Sequence, residues 1–93
     1  MPNKKSIITT PLFDKHYAER VRPFPKLQKA FLNALEVFEE DIKDPLLDTH
    51  ELTGAMTGRF AIKANSDLRI VFKETEDKFI FSDIGTHEQV YLR

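Results

Sequence analysis

Two histidines, an aspartate and a tyrosine carry most of the chemistry that this chain of 93 residues could perform. His87 follows the apolar run "FIFSDI" and a glycine, so it stands where a strand ends, and imidazole is the side chain that exchanges protons most readily near neutral pH. An up-down-up meander of the three strand-like runs would place the "NSD" turn at 65–67 at the same end of the sheet as the exit of the last strand. Asp67 and Arg69 then gather beside Gly85, Thr86 and His87, which puts a carboxylate, a guanidinium and an imidazole on one rim. Such a group suits proton transfer at an anionic ligand. His50 precedes the meander at its far end by simple topology, yet the glycines of "LTGAMTG" allow the segment to fold back over the sheet, and spacing leaves both open. Tyr91 fits either a terminal core aromatic or an exposed ring on which a base stacks. His16 sits beside Lys15 on a helical stretch and reads as a surface or hydrogen-bonded structural histidine.

Composition bounds the functions open to these residues. A hydrophobic fraction of 41% and a charged fraction of 31% are those of a folded protein, and the length predicts one domain over 1–93. With no cysteine there is no disulfide, no thiolate nucleophile and no Cys-based zinc site, which fits a reducing compartment. Histidines and carboxylates nowhere cluster at metal-ligand spacing, and neither a P-loop nor GxGxxG occurs, so no metal and no cofactor is expected. The start of the chain lacks an apolar run long enough for a signal peptide, and nothing approaches the ~18 apolar residues of a membrane span, which predicts a cytoplasmic protein with no membrane partner. A net charge of -1 argues against indiscriminate nucleic-acid binding, so any basic site must be local.

The elements that must hold these residues follow from pattern. "KSIITT" is a β-branched run and predicts a first strand. Thr10 caps a first helix with Pro11 at its opening position and Phe13, Tyr17 and Val21 on one face. Pro25 opens a second helix whose stripe is Leu27, Phe31, Leu35, Phe38 and Ile42, filled in by Ala30 and Ala34; the proline after Asp44 predicts its end there. The run Glu36, Glu39, Glu40 and Asp41 near that end reads as a solvated face. "GRFAIKA", "LRIVFK" and "KFIFSDI" alternate with period two and are joined by hairpin-sized separators. The expected fold class is α+β in the order β-α-α-β-β-β, an antiparallel sheet with two helices packed on one face.

Patterning also assigns the two faces. Phe60, Ile62, Ala64, Leu68, Ile70 and Phe72 turn toward the helices, with Leu68, Ile70 and Phe72 expected opposite Asp83, Phe81 and Phe79. The other face carries Arg59 across from Lys73, Lys63 across from Arg69, and Lys73 across from Lys78. Like charges opposed across strands destabilise by a few tenths to ~1 kcal/mol each. The accumulation of Arg59, Lys63, Arg69 and Lys73 therefore points to a face that binds something anionic.

"THELTG" at 49–54, "SDLRIVF" at 66–72 and "DIGTHEQVY" at 83–91, in that order after two helices, resemble the RelE superfamily of bacterial toxins and specifically its YafQ-like branch. The resemblance spans the whole chain in architecture and is carried by motifs in the C-terminal half. It implies a type II toxin that cleaves mRNA on the ribosome as a metal-independent endoribonuclease, with a cognate antitoxin, the ribosome and mRNA as partners. It places the family's catalytic positions on His50, Asp67, His87 and Tyr91. Where YafQ-like proteins have a second sheet histidine this sequence has Lys63, and other RelE relatives use lysine, arginine and tyrosine at such a site. Cleavage without a metal needs a base for the 2′-OH, an acid for the leaving 5′-oxygen and cations for the developing charge. His87 is the candidate acid, and His50 or Asp67 the base, unless Asp67 instead orients an imidazole. Lys63 and Arg69 would bind the scissile phosphate, with Arg59 and Lys73 on the same basic face. The same fold also occurs in ParE-like gyrase inhibitors, which need no catalytic acid, and a catalytically inactive antitoxin-binding protein is a further alternative.

Overall fold

Proline placement sets the first two helices. In the computed structural model, which describes residues 5–91, β1 (Ser6–Thr9) runs into Thr10, whose Oγ1 accepts the Phe13 N–H at 3.1 Å and starts α1 (Pro11–Arg20). α2 (Pro25–Glu40) buries Phe31, Ala34 and Phe38. It ends at Glu40, before the expected Asp44, because Asp41 turns extended and its Oδ1 accepts the Lys43 N–H at 2.9 Å. A side chain that offers the backbone a local turn competes with the next helical bond. Ile42 thus leaves the helix while still packing on the core. The proline acts one step later, opening a 3₁₀ turn (Pro45–Leu47) capped by Asp44.

The remaining strands are β2 (His50–Glu51), β3 (Phe60–Lys63), β4 (Leu68–Glu74) and β5 (Lys78–Thr86), followed by α3 (His87–Tyr91). They form a five-stranded sheet in the order β1-β5-β4-β3-β2, antiparallel except where β1 runs parallel to β5. The α+β class and its meander are as expected; β2 and α3 are additions to the β-α-α-β-β-β order, and the β1 pairing makes the sheet mixed. No helix among the described residues is long and apolar enough to cross a membrane. Residues 1–4 and 92–93 of the expected domain lie outside the described residues.

One face of the sheet makes the core. Phe38 of α2 stands edge-on to Phe79, Phe81 and Phe72 at 4.9, 5.4 and 5.2 Å between ring centres, and Phe13 of α1 meets Phe81 at 5.8 Å. Phe60, Ile62, Ile70, Phe72, Phe79 and Phe81 share this side, as the alternation predicted.

The register between β4 and β5 differs from the expected one. Leu68, Ile70 and Phe72 face Thr86, Ile84 and Phe81, not Asp83, Phe81 and Phe79. The pairing slips between Val71 and Phe72, where Ser82 is the extra residue of a β-bulge. The bulge lets Phe81 and Ile84 both reach the core, and it moves Asp83 opposite Val71, off the core side. It also pairs Lys73 with Ile80, so Lys73 does not face Lys78.

β1 accompanies β5 only through Phe81, and beyond that α1 lies along the edge of β5. The Thr10 N–H and Oγ1 donate to the carbonyls of Phe81 and Ser82, each at 3.1 Å, and Arg20 Nη1 donates to that of Ile84 at 2.9 Å. Covering an open strand edge in this way removes a template for aggregation. His16 is part of the same seam: its Nδ1 lies 2.6 Å from Oδ1 of the buried Asp83, which makes it a hydrogen-bonded structural histidine.

Candidate functional site

The turn between β3 and β4 shapes the rim. Asn65 Oδ1 accepts the N–H groups of Asp67 and Leu68 at 2.9 and 2.7 Å, which fixes the turn. Arg69 folds its guanidinium back onto this turn, donating from Nη1 to the carbonyls of Asn65 and Leu68 and from Nη2 to that of Ser66, at 3.0, 3.2 and 3.3 Å. These bonds orient the group and leave donors on Nε and Nη2 for a ligand.

Arg69 is flanked by Lys63 on β3 and Gly85 on β5, and Leu68 pairs with Thr86. The His87 N–H then donates to the Asp67 carbonyl at 3.1 Å, so the loop and the helix that carry the expected carboxylate and imidazole are tied by backbone. The Asp67 carboxylate itself is exposed and makes no hydrogen bond or ion pair among the described residues.

α3 begins with a reciprocal cap. Thr86 Oγ1 accepts the Gln89 N–H at 3.2 Å while Gln89 Oε1 accepts the Thr86 N–H at 2.8 Å. Val90 is fully buried and pins the helix. His87 and Tyr91, four apart, fall on one helical side and meet edge to face, 4.4 Å between ring centres at 84°. The Tyr91 hydroxyl is buried and has no hydrogen-bond partner among the described residues. Burial raises its pKa above the ordinary tyrosine value, the nearby Arg69 pulls it back, and Asp48 pushes it up again. A phenol so placed stays neutral at physiological pH and acts as a donor or a stacking surface, not as a base.

His50 takes the second of its two possible positions. It lies in the edge strand β2 opposite Ala61, level with the middle of the sheet and two residues along β3 from Lys63. Its Nδ1 is 2.7 Å from the carbonyl of Asp48, a residue in the left-handed region at φ 48°. A carbonyl only accepts, so Nδ1 carries the hydrogen, and in the neutral ring the lone pair is on Nε2.

The expected basic face is divided. Lys63 and Arg69 stand at the rim, whereas Lys73 and Arg59 lie at the other end of the strands, four residues or ~14 Å along β4. Between them Ala61 and Val71 are fully buried, so the middle of this face is covered. Arg59 lines a small cavity there with Leu12, Met56, Val71 and Asp83. Met56 arrives on the β2–β3 connection, where Gly58 takes φ +92°. A larger hollow, about 600 Å3, on the β2 side is lined by Asp44, Asp48, His50, Glu51, Phe60 and Glu74.

Neither a protein-family model nor a curated protein sequence matches the chain. Solved structures do. YafQ from E. coli strain BL21(DE3) superposes with a TM-score of 0.70 at 17% identity, covering 94% of this chain and 98% of its own. The E. coli DinJ-YafQ toxin-antitoxin complex gives 0.73 at 15%, covering 96% and 99%, and the YoeB/ParE toxin from Agrobacterium tumefaciens gives 0.72 at 13%, covering 88% and 98%. This chain has the fold of the YafQ and YoeB toxins. The superposition runs through nearly all of it, and the fold is the one that the sequence resemblance implied.

Three participants have no place in the sequence reading. Asp48 gives no signal there because a loop carboxylate has no periodicity to betray it. Arg20 gives none without knowledge of where β1 stops. The cap of α3 does have one, since "THEQ" at 86–89 is the Thr-x-x-Gln spacing of a reciprocal cap.

Proposed function

We propose that the chain is the toxin of a type II toxin-antitoxin pair, a metal-independent endoribonuclease that cleaves mRNA on the bacterial ribosome. The observation that carries this reading is the gathering at one rim of Lys63 from β3, Arg69 from β4 and His87 with Tyr91 from α3, with His50 of β2 two residues along β3 from Lys63. Nε2 of His50, left unprotonated by the Asp48 carbonyl, takes the proton of a 2′-OH. The freed oxygen attacks the adjacent phosphorus, the bond to the 5′-oxygen breaks, and His87 protonates the departing oxygen. The products are a 2′,3′-cyclic phosphate and a 5′-hydroxyl. Lys63 and the free edge of Arg69 stabilise the charge on the phosphate. Asp67, exposed and joined to His87 through its main-chain carbonyl, holds the β3–β4 turn against the helix that carries the candidate acid. Tyr91 fixes the His87 ring and offers its face to a base.

The ribosome is part of the reading for a physical reason. A chain with net charge -1 has little electrostatic hold on free RNA at physiological salt, where each neutralised phosphate contributes. An immobilised, extended mRNA converts that encounter into an oriented one. A protein antitoxin is the expected partner, supported by the solved DinJ-YafQ complex. One comparison tests the proposal: the protein is added to naked RNA, to programmed ribosomes and to a gyrase supercoiling reaction. Cleavage on programmed ribosomes alone supports it. Loss of supercoiling with intact mRNA would replace it by the ParE-like reading, and inactivity in all three by that of a binding protein.

A further inference from the structure

Arg20 lies outside the rim, yet its guanidinium is built into the backbone that leads there. Its Nη1 donates to the Ile84 carbonyl at 2.9 Å and stands 3.7 Å from Asp83 Oδ1. Asp83 is 3% exposed, and the same Oδ1 meets His16 Nδ1 at 2.6 Å and accepts the Ile84 N–H at 2.8 Å. At the next residue the space closes. A Cβ on Gly85 would come within 2.7 Å of both Arg20 Nη1 and Gln89 Oε1, so both side chains close over the one position that has none. Gln89 Oε1 is the acceptor that caps α3, the helix that presents His87 and Tyr91. A chain of contacts thus runs from α1 through the edge of β5 to the candidate acid.

We propose that Arg20, locked by Asp83 and His16, is a positioning residue for α3: it fixes the backbone at Ile84 and Gly85 and walls Gln89 into its capping position, which aims His87. For activity this rests on the ribonuclease reading; for structure it stands alone. Burying the Asp83 carboxylate against the partly buried His16 and Arg20 is a poor source of stability, because desolvation offsets the attraction, but it selects one geometry. A helix of five residues is far too short to hold itself and takes its conformation from whatever fixes its first turn.

Arg20→Met tests this, since it keeps the packing of the stem and removes the donors. Three readings are taken on the full chain: the nuclear Overhauser contact between the His87 and Tyr91 rings, amide exchange at Gln89 and Val90 against Ile70 and Phe72 in β4, and single-turnover cleavage on programmed ribosomes. The ring contact and the α3 protection are lost while β4 stays protected. The cleavage rate falls about tenfold to a hundredfold, as a displaced catalytic group requires, with half-saturation unchanged. Arg20→Lys, which returns a donor, recovers part of both. Intact ring contact and α3 protection in Arg20→Met overturn the assignment, as does equal loss in β4 and α3, which would make Arg20 a support of the whole fold. Should Arg20→Met not fold, the two spectroscopic readings on Arg20→Lys decide it. A native chain that cleaves nothing sinks the ribonuclease reading, while the ring contact and α3 protection still decide the positioning role.

Discussion

Replacing His87 by alanine separates chemistry from folding, because its side chain is exposed and its backbone bond to the Asp67 carbonyl survives the change. What the fold loses is the edge-to-face contact with Tyr91 at 4.4 Å, and such pairs are worth ~0.5–1.5 kcal/mol, the lower half applying at an exposed ring. For a domain of this size each kcal/mol shifts Tm by ~4–8 °C, so the variant melts about 2–8 °C lower. The loss in catalysis is of another order. Removing a general acid costs ~10²–10⁴ in rate, or ~2.7–5.4 kcal/mol of barrier at 1.36 kcal/mol per tenfold. Thermal melts and single-turnover cleavage on programmed ribosomes measure the two quantities side by side. A substrate whose 5′-oxygen is replaced by sulfur adds a sharper control, because that leaving group departs without a proton and His87→Ala should cleave it nearly as fast as the native chain. Two results refute the reasoning: activity that falls only as far as folded population falls, or a sulfur substrate that the variant cleaves as poorly as the ordinary one.

Three further outcomes follow from the same geometry. Thr86→Ala removes the cap of α3 and costs ~1 kcal/mol, with amide exchange in α3 rising and cleavage falling more than the Tm shift accounts for. Phe38→Ala empties the centre of the aromatic core and costs ~3–5 kcal/mol, the largest drop in urea midpoint of any single replacement described, without altering the rim of the molecules that remain folded. Tyr91 titrates above the ordinary tyrosine value of ~10 because burial disfavours the phenolate. The fold favours the neutral form, so this contribution to stability is whole below the ordinary value and is lost as pH rises through the raised one. Ultraviolet titration of Asp48→Asn should show the value lowered and that of Arg69→Met raised, since the first removes a negative neighbour and the second a positive one.

The parts of the fold that can be read from sequence are those that repeat. α2 announces itself through a stripe at helical spacing, and the two faces of β3 and β4 through strict alternation. The register of β5 departs from its pattern for a local reason. Phe79 and Phe81 keep period two, but the next core residue is Ile84, three further on, and that gap is the trace of the bulge at Ser82. Elements of two or five residues have no period to detect: β2 exists because β3 offers an edge, and α3 because Thr86 and Gln89 cap it. At the rim the pairing of Asp67 and Arg69 with Gly85 and His87 needs only the direction of the meander. The seam of His16, Arg20 and Asp83 depends on β1 stopping at Thr9, a length set by tertiary packing.

The rim and the core are held by different forces. The core is a cluster of phenylalanines sealed between sheet and helices, whereas His50, Arg69 and His87 are each placed by bonds to main-chain carbonyls of loops, those of Asp48, Asn65 and Asp67. Bonds of this kind contribute ~0.5–1.5 kcal/mol apiece, so they orient side chains without anchoring the fold. α3 adds one buried valine and a pair of capping bonds to hold a five-residue helix. It therefore belongs to the least stable part of the molecule, where local opening costs much less than global unfolding. The imidazole proposed to finish the reaction is thus carried by the segment that can be loosened most cheaply, and competence of the site and stability of the sheet are separate properties of this chain.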